Sequence, residues 1–350
     1  MDAAAIPGAW KKTLWQALAL APLLLAAYLW PALAVPFSLL LPLVVCPAMA
    51  GGALTFALAL PCVLAGVCWL GGASVKVVLL LPLAPYLCLL STSQRYRRQF
   101  TFEGRALACT AAVALEGLAL LLALKAALGG PVFTALPDAL VAQLTDAPWT
   151  GALLYRLVNL GVLPLPDAYA NTAALQLGNL VWLNPLLQSE LLNMLRLRLA
   201  DTLTLWVPMV LVQGSMLVGL FTALTTERAH ARHMNDPAGA PLFRTLRLPR
   251  AAQGYVLVLC LGALLASLSD DPFLTLLGML LYAAFMGVVQ LLGAATLVAL
   301  GAKAHPKRIV LYGVLAAALF ALFPIALFLL GVADQLLNLR AAGRNHQEEE

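Results

Sequence analysis

The chain has 350 residues, of which 62% are hydrophobic and only 11% are charged, and its formal net charge is +5. This composition excludes an ordinary soluble domain, in which about 25% of residues are charged. The basic excess does not indicate nucleic acid binding, because Lys and Arg cluster between long apolar runs, as they do in cytoplasmic loops of membrane proteins. No strand-like alternation is present, so the sequence predicts an all-α fold, a polytopic bundle of transmembrane helices in the lipid bilayer.

The first apolar run follows Lys11 and Lys12 and ends in Ala32-Leu33-Ala34, a pattern that resembles a signal-peptidase site. We expect an uncleaved first helix instead. The apolar stretch exceeds the ~7–15 residues of a signal-peptide core, and further apolar runs follow at once.

Apolar runs between turn and charge signals predict about nine spans. They lie near residues 13–33, 35–50, 53–70, 75–92, 105–128, 202–224, 252–269, 272–300 and 308–331. The second run is short and rich in proline, which leaves open whether it crosses the membrane completely.

Charges in the connectors predict the orientation of these spans. Four basic connectors fall on one side if the spans alternate; they contain Lys11 and Lys12; Arg95, Arg97, Arg98 and Arg105; Arg228, Arg232, Arg244, Arg247 and Arg250; and Lys303, Lys307 and Arg308. The opposite connectors carry Asp138, Asp146, Asp270 and Asp271. The positive-inside rule therefore predicts a cytoplasmic N-terminus and, with an odd span count, an external C-terminus.

Connector lengths divide the chain into four predicted parts. These are a six-span bundle over 1–224 with an external region at 129–200, a basic cytoplasmic connector at 225–250, a three-span part at 251–340, and a polar tail at 341–350. The stretch from Pro185 is predicted to be an amphipathic helix at the interface before the span that begins at Thr202. It is either a packing helix with a solvated face or a lid over a ligand. The connector from Glu227 is predicted to be flexible.

Polar residues at membrane depth are costly and therefore indicate function or helix pairing. Glu116 is predicted near the middle of the fifth span, where it binds a cation, a hydrogen-bonding ligand or a proton, or holds helices together. Gln213 and Gln290 are interpreted as interhelical hydrogen-bond partners or ligand contacts. Asn179 and Asn184 are further candidates for ligand binding.

Catalytic and metal signatures are missing from the sequence. The six cysteines contain no CxxC pair, which favours reduced thiols. His230 and His233 lack an evident third metal ligand. HExxH, GxSxG and phosphate-loop motifs are absent, so we expect no enzyme and no cofactor. An intramembrane enzyme using Glu116 would need a second catalytic group, which the sequence does not indicate.

The C-terminal third carries a distinctive order of motifs. The run from Phe243 to Arg250 opens a span, Gln290-Leu-Leu-Gly293 follows, and a final span ends in Gly331-Val-Ala-Asp334 before Arg340. Asp334 and Arg340 are six residues apart, not the three or four that favour pairing on a helix, so we interpret them as an end-cap or interface anchor.

This arrangement resembles the YybS-like family of bacterial membrane proteins, which is distantly similar to the substrate-binding S components of energy-coupling factor transporters. The resemblance implies a multi-pass protein of the bacterial inner membrane that binds a small molecule. It also implies partners, namely a membrane coupling protein and ATPases.

Two functions are therefore expected. In the first, the chain binds a small molecule for transport, in a cavity lined by Glu116, Gln213, Asn179, Asn184 and Gln290. In the second, it is a scaffold for cell-envelope or division machinery, and the arginines of the connector contact a partner protein or anionic lipid.

Overall fold

The computed structural model describes residues 21–22, 24–29, 34–93, 99–172, 174–234, 242–247, 250–269, 271–304, 309–337 and 339–340. Every regular element in these ranges is helical. The α-helices whose bounds lie within these ranges are α1 (Ala34–Leu40), α2 (Pro42–Ala50), α3 (Leu54–Leu70), α4 (Val75–Leu80), α5 (Leu83–Thr92), α6 (Phe102–Leu128), α7 (Val132–Thr145), α8 (Thr150–Asn159), α9 (Ala174–Leu183), α10 (Pro185–His233), α11 (Arg250–Ser267), α12 (Pro272–Ala304), α13 (Ile309–Leu322) and α14 (Pro324–Leu337). The all-α prediction is confirmed for the described ranges.

Two compact units make up the chain. The first combines Met1–Leu120 with Met209–Glu350, and the second is Leu121–Pro208. The region predicted to be external, 129–200, lies within the second unit. The core of the second unit is formed by α8, α9 and the start of α10, around Leu154, Val181 and Leu191.

Four helical segments in the described residues are long and apolar enough to cross a membrane. They are Val75–Thr92, Phe102–Leu128, Pro185–His233 and Leu274–Ala302, and the bent pair α13 and α14 makes a fifth if it is one span. Shorter apolar helices lie at Val35–Ala50, Leu54–Leu70, Val132–Thr145 and Val256–Ala266. The chain is therefore a helical membrane protein, and the count of nine spans is not confirmed. Most of the predicted first span, 13–33, and the whole tail, 341–350, lie outside the described residues.

The predicted sixth span is part of a much longer helix. Helix α10 has 49 residues, which corresponds to a length of ~74 Å against ~30 Å of hydrocarbon. The amphipathic stretch from Pro185 and the span from Thr202 are thus one helix, which continues to His233. The prediction of a flexible connector from Glu227 was therefore wrong for residues 227–233, because the run contains strong helix formers and no glycine after Gly219.

Two predicted spans contain breaks at prolines. The fourth is divided into α4 and α5 at Leu81 and Pro82, and the ninth into α13 and α14 at Phe323. Proline has no backbone N–H to donate to the carbonyl four residues earlier, and its ring clashes with that carbonyl. Each break therefore lies next to a proline, where one hydrogen bond of the helix is missing. The first break positions the candidate site, and the second bends the chain by 116°.

Candidate functional site

The candidate site is the carboxyl group of Glu116, in the middle of α6. Its side chain is completely buried. Glu116 Oε2 accepts a hydrogen bond of 2.5 Å from the backbone N–H of Ala84, which belongs to the first turn of α5. A buried carboxyl of one helix therefore caps the N-terminus of another.

The break between α4 and α5 explains why this N–H needs a partner. The amides of a helix's first turn have no acceptor within the helix. Around the break, Leu81 N–H still bonds to Val77 O at 3.1 Å and Tyr86 N–H to Pro82 O at 3.1 Å. Ala84 lies between them, and the Glu116 carboxyl supplies the acceptor that it lacks. The positive end of the α5 dipole also favours a negative group at this position.

The second carboxyl oxygen remains without a partner. No described atom forms a hydrogen bond with Glu116 Oε1, although this atom is buried. The Ser38 hydroxyl faces the same carboxyl, yet its hydrogen bond goes to Val35 O at 2.8 Å. Since a hydroxyl has one proton to donate, Ser38 cannot serve both acceptors at once.

Thiol and hydroxyl groups lie on α5 and α6 beside the site. Cys88 and Cys109 are fully buried, and Cys88 Sγ lies 3.7 Å from the carbonyl oxygen of Cys109. Ser91 Oγ lies 3.4 Å from Cys109 Sγ. This layer is more polarisable than an aliphatic core.

Close helix packing closes one side of the site. At Gly117, next to Glu116, an added Cβ would overlap the Leu211 side chain of α10, and at Gly219 it would overlap Thr110. Glycine thus lets α6 and α10 approach closely along this line.

Two clefts lie among the described residues of the first unit. One of about 240 Å³ is lined by Leu87, Leu90, Ser91, Phe100, Arg105 and Ala108. The other, of about 170 Å³, is lined only by apolar side chains, among them Phe37 and Leu60. The Glu116 carboxyl lines neither cleft.

The predicted glutamines lie elsewhere in the first unit. Gln213, on α10, is half-buried and packs toward Gly287 of α12. Gln290 is 3% exposed, and its Oε1 has no hydrogen-bond partner among the described residues. Gln290 is thus a second buried acceptor without a described partner.

The predicted asparagines belong to the second unit. Asn179 is exposed on α9. Asn184 caps α10: its Oδ1 accepts hydrogen bonds from the N–H groups of Leu186 at 3.0 Å and Leu187 at 3.3 Å, while its Nδ2 donates to Tyr169 OH at 3.1 Å. The Asn184 amide is therefore already engaged in holding the start of the long helix.

The strongest buried polar cluster surrounds Arg340. Its guanidinium pairs with Asp334 at 2.9 Å and donates to Thr296 Oγ1 at 2.8 Å. It also donates to the carbonyl oxygens of Arg244 at 2.9 Å and Leu246 at 2.8 Å. The two residues pair although they are six apart, and the backbone N–H of Arg340 also donates to Asp334 Oδ1 at 3.3 Å. Arg340 and Asp334 therefore hold the end of the last helix against α12 and the basic connector, in keeping with the end-cap or interface anchor expected from the sequence.

A second buried ion pair was not recognised from the sequence. Arg105 Nη2 at the start of α6 lies 2.7 Å from Glu227 Oε1 near the end of α10, and both side chains are 9% exposed. Both residues were assigned to polar connectors. One feature of the sequence could have revealed the pair. Glu227 directly follows the apolar run that ends at Leu224, and it lies on the same predicted side of the membrane as Arg105.

The connector arginines are mostly accessible. Arg232, Arg244 and Arg247 are exposed and Arg228 is half-buried. The side chain of Arg250 lies outside what the structure describes. The Arg244 and Leu246 carbonyls that bind Arg340 fix the backbone here, so the exposed guanidinium groups project from an anchored segment.

All six cysteines are free thiols; four are buried, whereas Cys62 is exposed and Cys260 half-buried. The expectation that the cysteines pack as small buried hydrophobic residues was thus wrong for Cys62, whose Sγ lies 2.9 Å from the Tyr86 hydroxyl at an exposed position. No group of three metal-ligating side chains occurs among the described residues.

Fold and site together define the class: a helical membrane protein with a buried carboxyl at a broken helix. Comparisons with protein-family models, curated proteins and solved structures find no match. The resemblance to the YybS-like family therefore stays a prediction.

Proposed function

We propose that the protein binds a small molecule in the membrane through Glu116 and serves as a substrate-binding component for transport. One observation carries this proposal: Glu116 is fully buried, yet only one of its two carboxyl oxygens has a hydrogen-bond partner. A group of this kind at membrane depth is a functional site by default.

The chemistry of the site favours a cationic or hydrogen-bond-donating ligand. A carboxylate only accepts hydrogen bonds, so the free oxygen lacks a donor. Broken helices near the membrane midplane are a common way to build substrate and ion sites, because their ends present unpaired backbone groups. An ammonium group, an amide or a proton supplies the donor that the free oxygen lacks.

The proposal also covers the orientation of the chain in the membrane and the proteins that bind it. We place nine apolar segments in a bacterial inner membrane, with the N-terminus in the cytoplasm, because the basic connectors then share one side. The similarity to the YybS-like family and to S components adds a membrane coupling protein and ATPases as partners. We propose binding and not catalysis, since the group that bonds to Glu116 is a backbone amide and not a second titratable side chain.

The test is mass spectrometry of the tagged, full-length protein purified from its native membrane into nanodiscs. We expect a stoichiometric small molecule in the wild type, its loss in Glu116→Gln, and its retention in the matched control Glu103→Gln on the same helix. Co-purification of ATPases with a coupling protein would support transport. Equal ligand content in all three proteins would contradict the assignment of Glu116.

The exposed arginines support a second candidate function, a scaffold that recruits a partner or anionic lipid. Arg232, Arg244 and Arg247 are exposed, and the last two belong to the segment that Arg340 anchors. Replacement of all three by glutamine should abolish co-purification of envelope or division proteins. If those proteins remain bound, the scaffold assignment is wrong.

A further inference from the structure

We infer that the last apolar segment, α13 and α14, is a re-entrant helical hairpin that enters and leaves the membrane on the cytoplasmic side. The alternating nine-span scheme instead predicts a full crossing and an external C-terminus. The inference is independent of the function proposed above.

The length of the segment argues against a crossing. Each helix has 14 residues, which is ~21 Å. With a bend of 116° between them, even the most favourable orientation inclines each helix by about 58° to the membrane normal. The pair then advances only ~22 Å, short of the ~30 Å of hydrocarbon.

Contacts with α12 show where each limb of the segment lies. On the outward limb, α13 begins beside the end of α12, where an added Cβ at Gly301 would overlap the Tyr312 ring. On the return limb, α14 packs tightly across α12: an added Cβ at Gly293 would overlap the backbone of Leu327, and one at Gly331 would overlap that of Val289, while the Phe328 ring lies 5.8 Å from that of Phe285. Arg340 then reaches Thr296 at 2.8 Å. The return limb therefore crosses the C-terminal half of α12, and Arg340 at its end is held by Leu292 and Thr296 of that half.

The turn of the hairpin is suited to hydrocarbon. Leu322, Phe323 and Ile325 are large apolar residues that are 71%, 65% and 67% exposed. Phe323 N–H bonds to Leu319 O at 2.8 Å and Ala326 N–H to Phe323 O at 3.0 Å, while Pro324 has no N–H. The break therefore exposes few unsatisfied donors, which is the condition for a helix break at membrane depth.

The end of the return limb is tied to the basic connector. Arg340 donates to the carbonyl oxygens of Arg244 and Leu246, and the positive-inside rule places this arginine-rich segment in the cytoplasm. Since a hydrogen bond cannot join groups on opposite sides of a bilayer, Arg340 lies on the cytoplasmic side as well.

The experiment compares three epitope insertions in the full-length protein, read as antibody access in spheroplasts before and after permeabilisation. One tag follows the C-terminus, one lies between Pro237 and Ala238 in the connector, and one lies at Gly161, in the region predicted to be external. We expect the C-terminal and connector tags to become accessible only after permeabilisation, with the Gly161 tag as the accessible control. A C-terminal tag accessible on the side opposite the connector tag would overturn the inference.

A second measurement does not depend on insertions within the chain. Green fluorescent protein fused to the C-terminus of the full-length protein should fluoresce, because it folds in the cytoplasm, and an alkaline phosphatase fusion at the same position should be inactive. An active phosphatase with a dark fluorescent fusion would establish a crossing and refute the hairpin.

Discussion

Arg340 and Glu116 are both buried charged groups beside a helix end, and they differ in how completely their partners satisfy them. Arg340 has Asp334, the Thr296 hydroxyl and the carbonyl oxygens of Arg244 and Leu246. Glu116 has a single backbone N–H, that of Ala84.

The difference separates an anchor from a binding group. A buried network whose members are all paired stabilises one arrangement of the chain, and the loss of one member is costly. A buried carboxyl with a free oxygen keeps an unmet demand for a donor, which a ligand can supply. We therefore assign the first cluster to structure and the second to function.

The largest expected effect comes from Arg340→Ala. Removing the guanidinium leaves Asp334 buried and unpaired, which should lower the free energy of unfolding by about 3–5 kcal/mol. Thermal unfolding in mild detergent measures this loss. The control is the double variant Asp334→Asn with Arg340→Met, which removes both charges and should lose less. A double variant as unstable as Arg340→Ala would show that the ion pair is not what holds the cluster.

A smaller effect is expected at Glu116, and it depends on the substitution. Glu116→Ala removes the acceptor for the buried Ala84 N–H and should cost about 1–3 kcal/mol. Glu116→Gln keeps an amide oxygen that can accept the same bond, so it should unfold close to the wild-type temperature while losing ligand. Equal destabilisation by both substitutions would mean that the negative charge of Glu116 itself stabilises the fold. Glu116 would then be a structural group like Arg340 and not a binding group.

Asn184 tests the same capping chemistry without a charge. Asn184→Ala removes the acceptor for two N–H groups at the start of α10, a loss of about 1 kcal/mol for a typical N-cap. Asn184→Asp keeps the acceptor and should recover most of the stability. The readout is again thermal unfolding, and a larger loss than for Glu116→Ala would contradict the ranking.

The smallest effect is expected for the exposed ion pair between Arg196 and Asp138, whose side chains are 46% and 55% exposed at a distance of 3.4 Å. Arg196→Ala should change the free energy of unfolding by less than about 1 kcal/mol, because water competes for both groups. A loss as large as that of Arg340→Ala would show that distance alone, and not burial, sets the strength of ion pairs in this protein.

The sequence placed Glu116 near the middle of a long apolar helix and favoured an end-cap or interface anchor for Asp334 and Arg340, because charges within or beside apolar runs are conspicuous. It did not connect Glu116 with Ala84, 32 positions away in the chain, because backbone N–H groups leave no mark in a sequence. It also placed Glu227 in a flexible connector, whereas the residue continues α10 and pairs with Arg105.

Composition and hydrophobic run length by themselves determined that this is an all-α membrane protein, because only helices satisfy their own backbone within a single apolar segment. Proline positions did not determine where those helices break, because Pro61 and Pro208 lie inside unbroken helices. Only the tertiary structure decided what each break does: that one presents an N–H to Glu116 and the other turns the chain by 116°. What each break does depends on which groups, distant in the sequence, pack beside it. The pattern of apolar residues and prolines along the chain does not specify those long-range contacts.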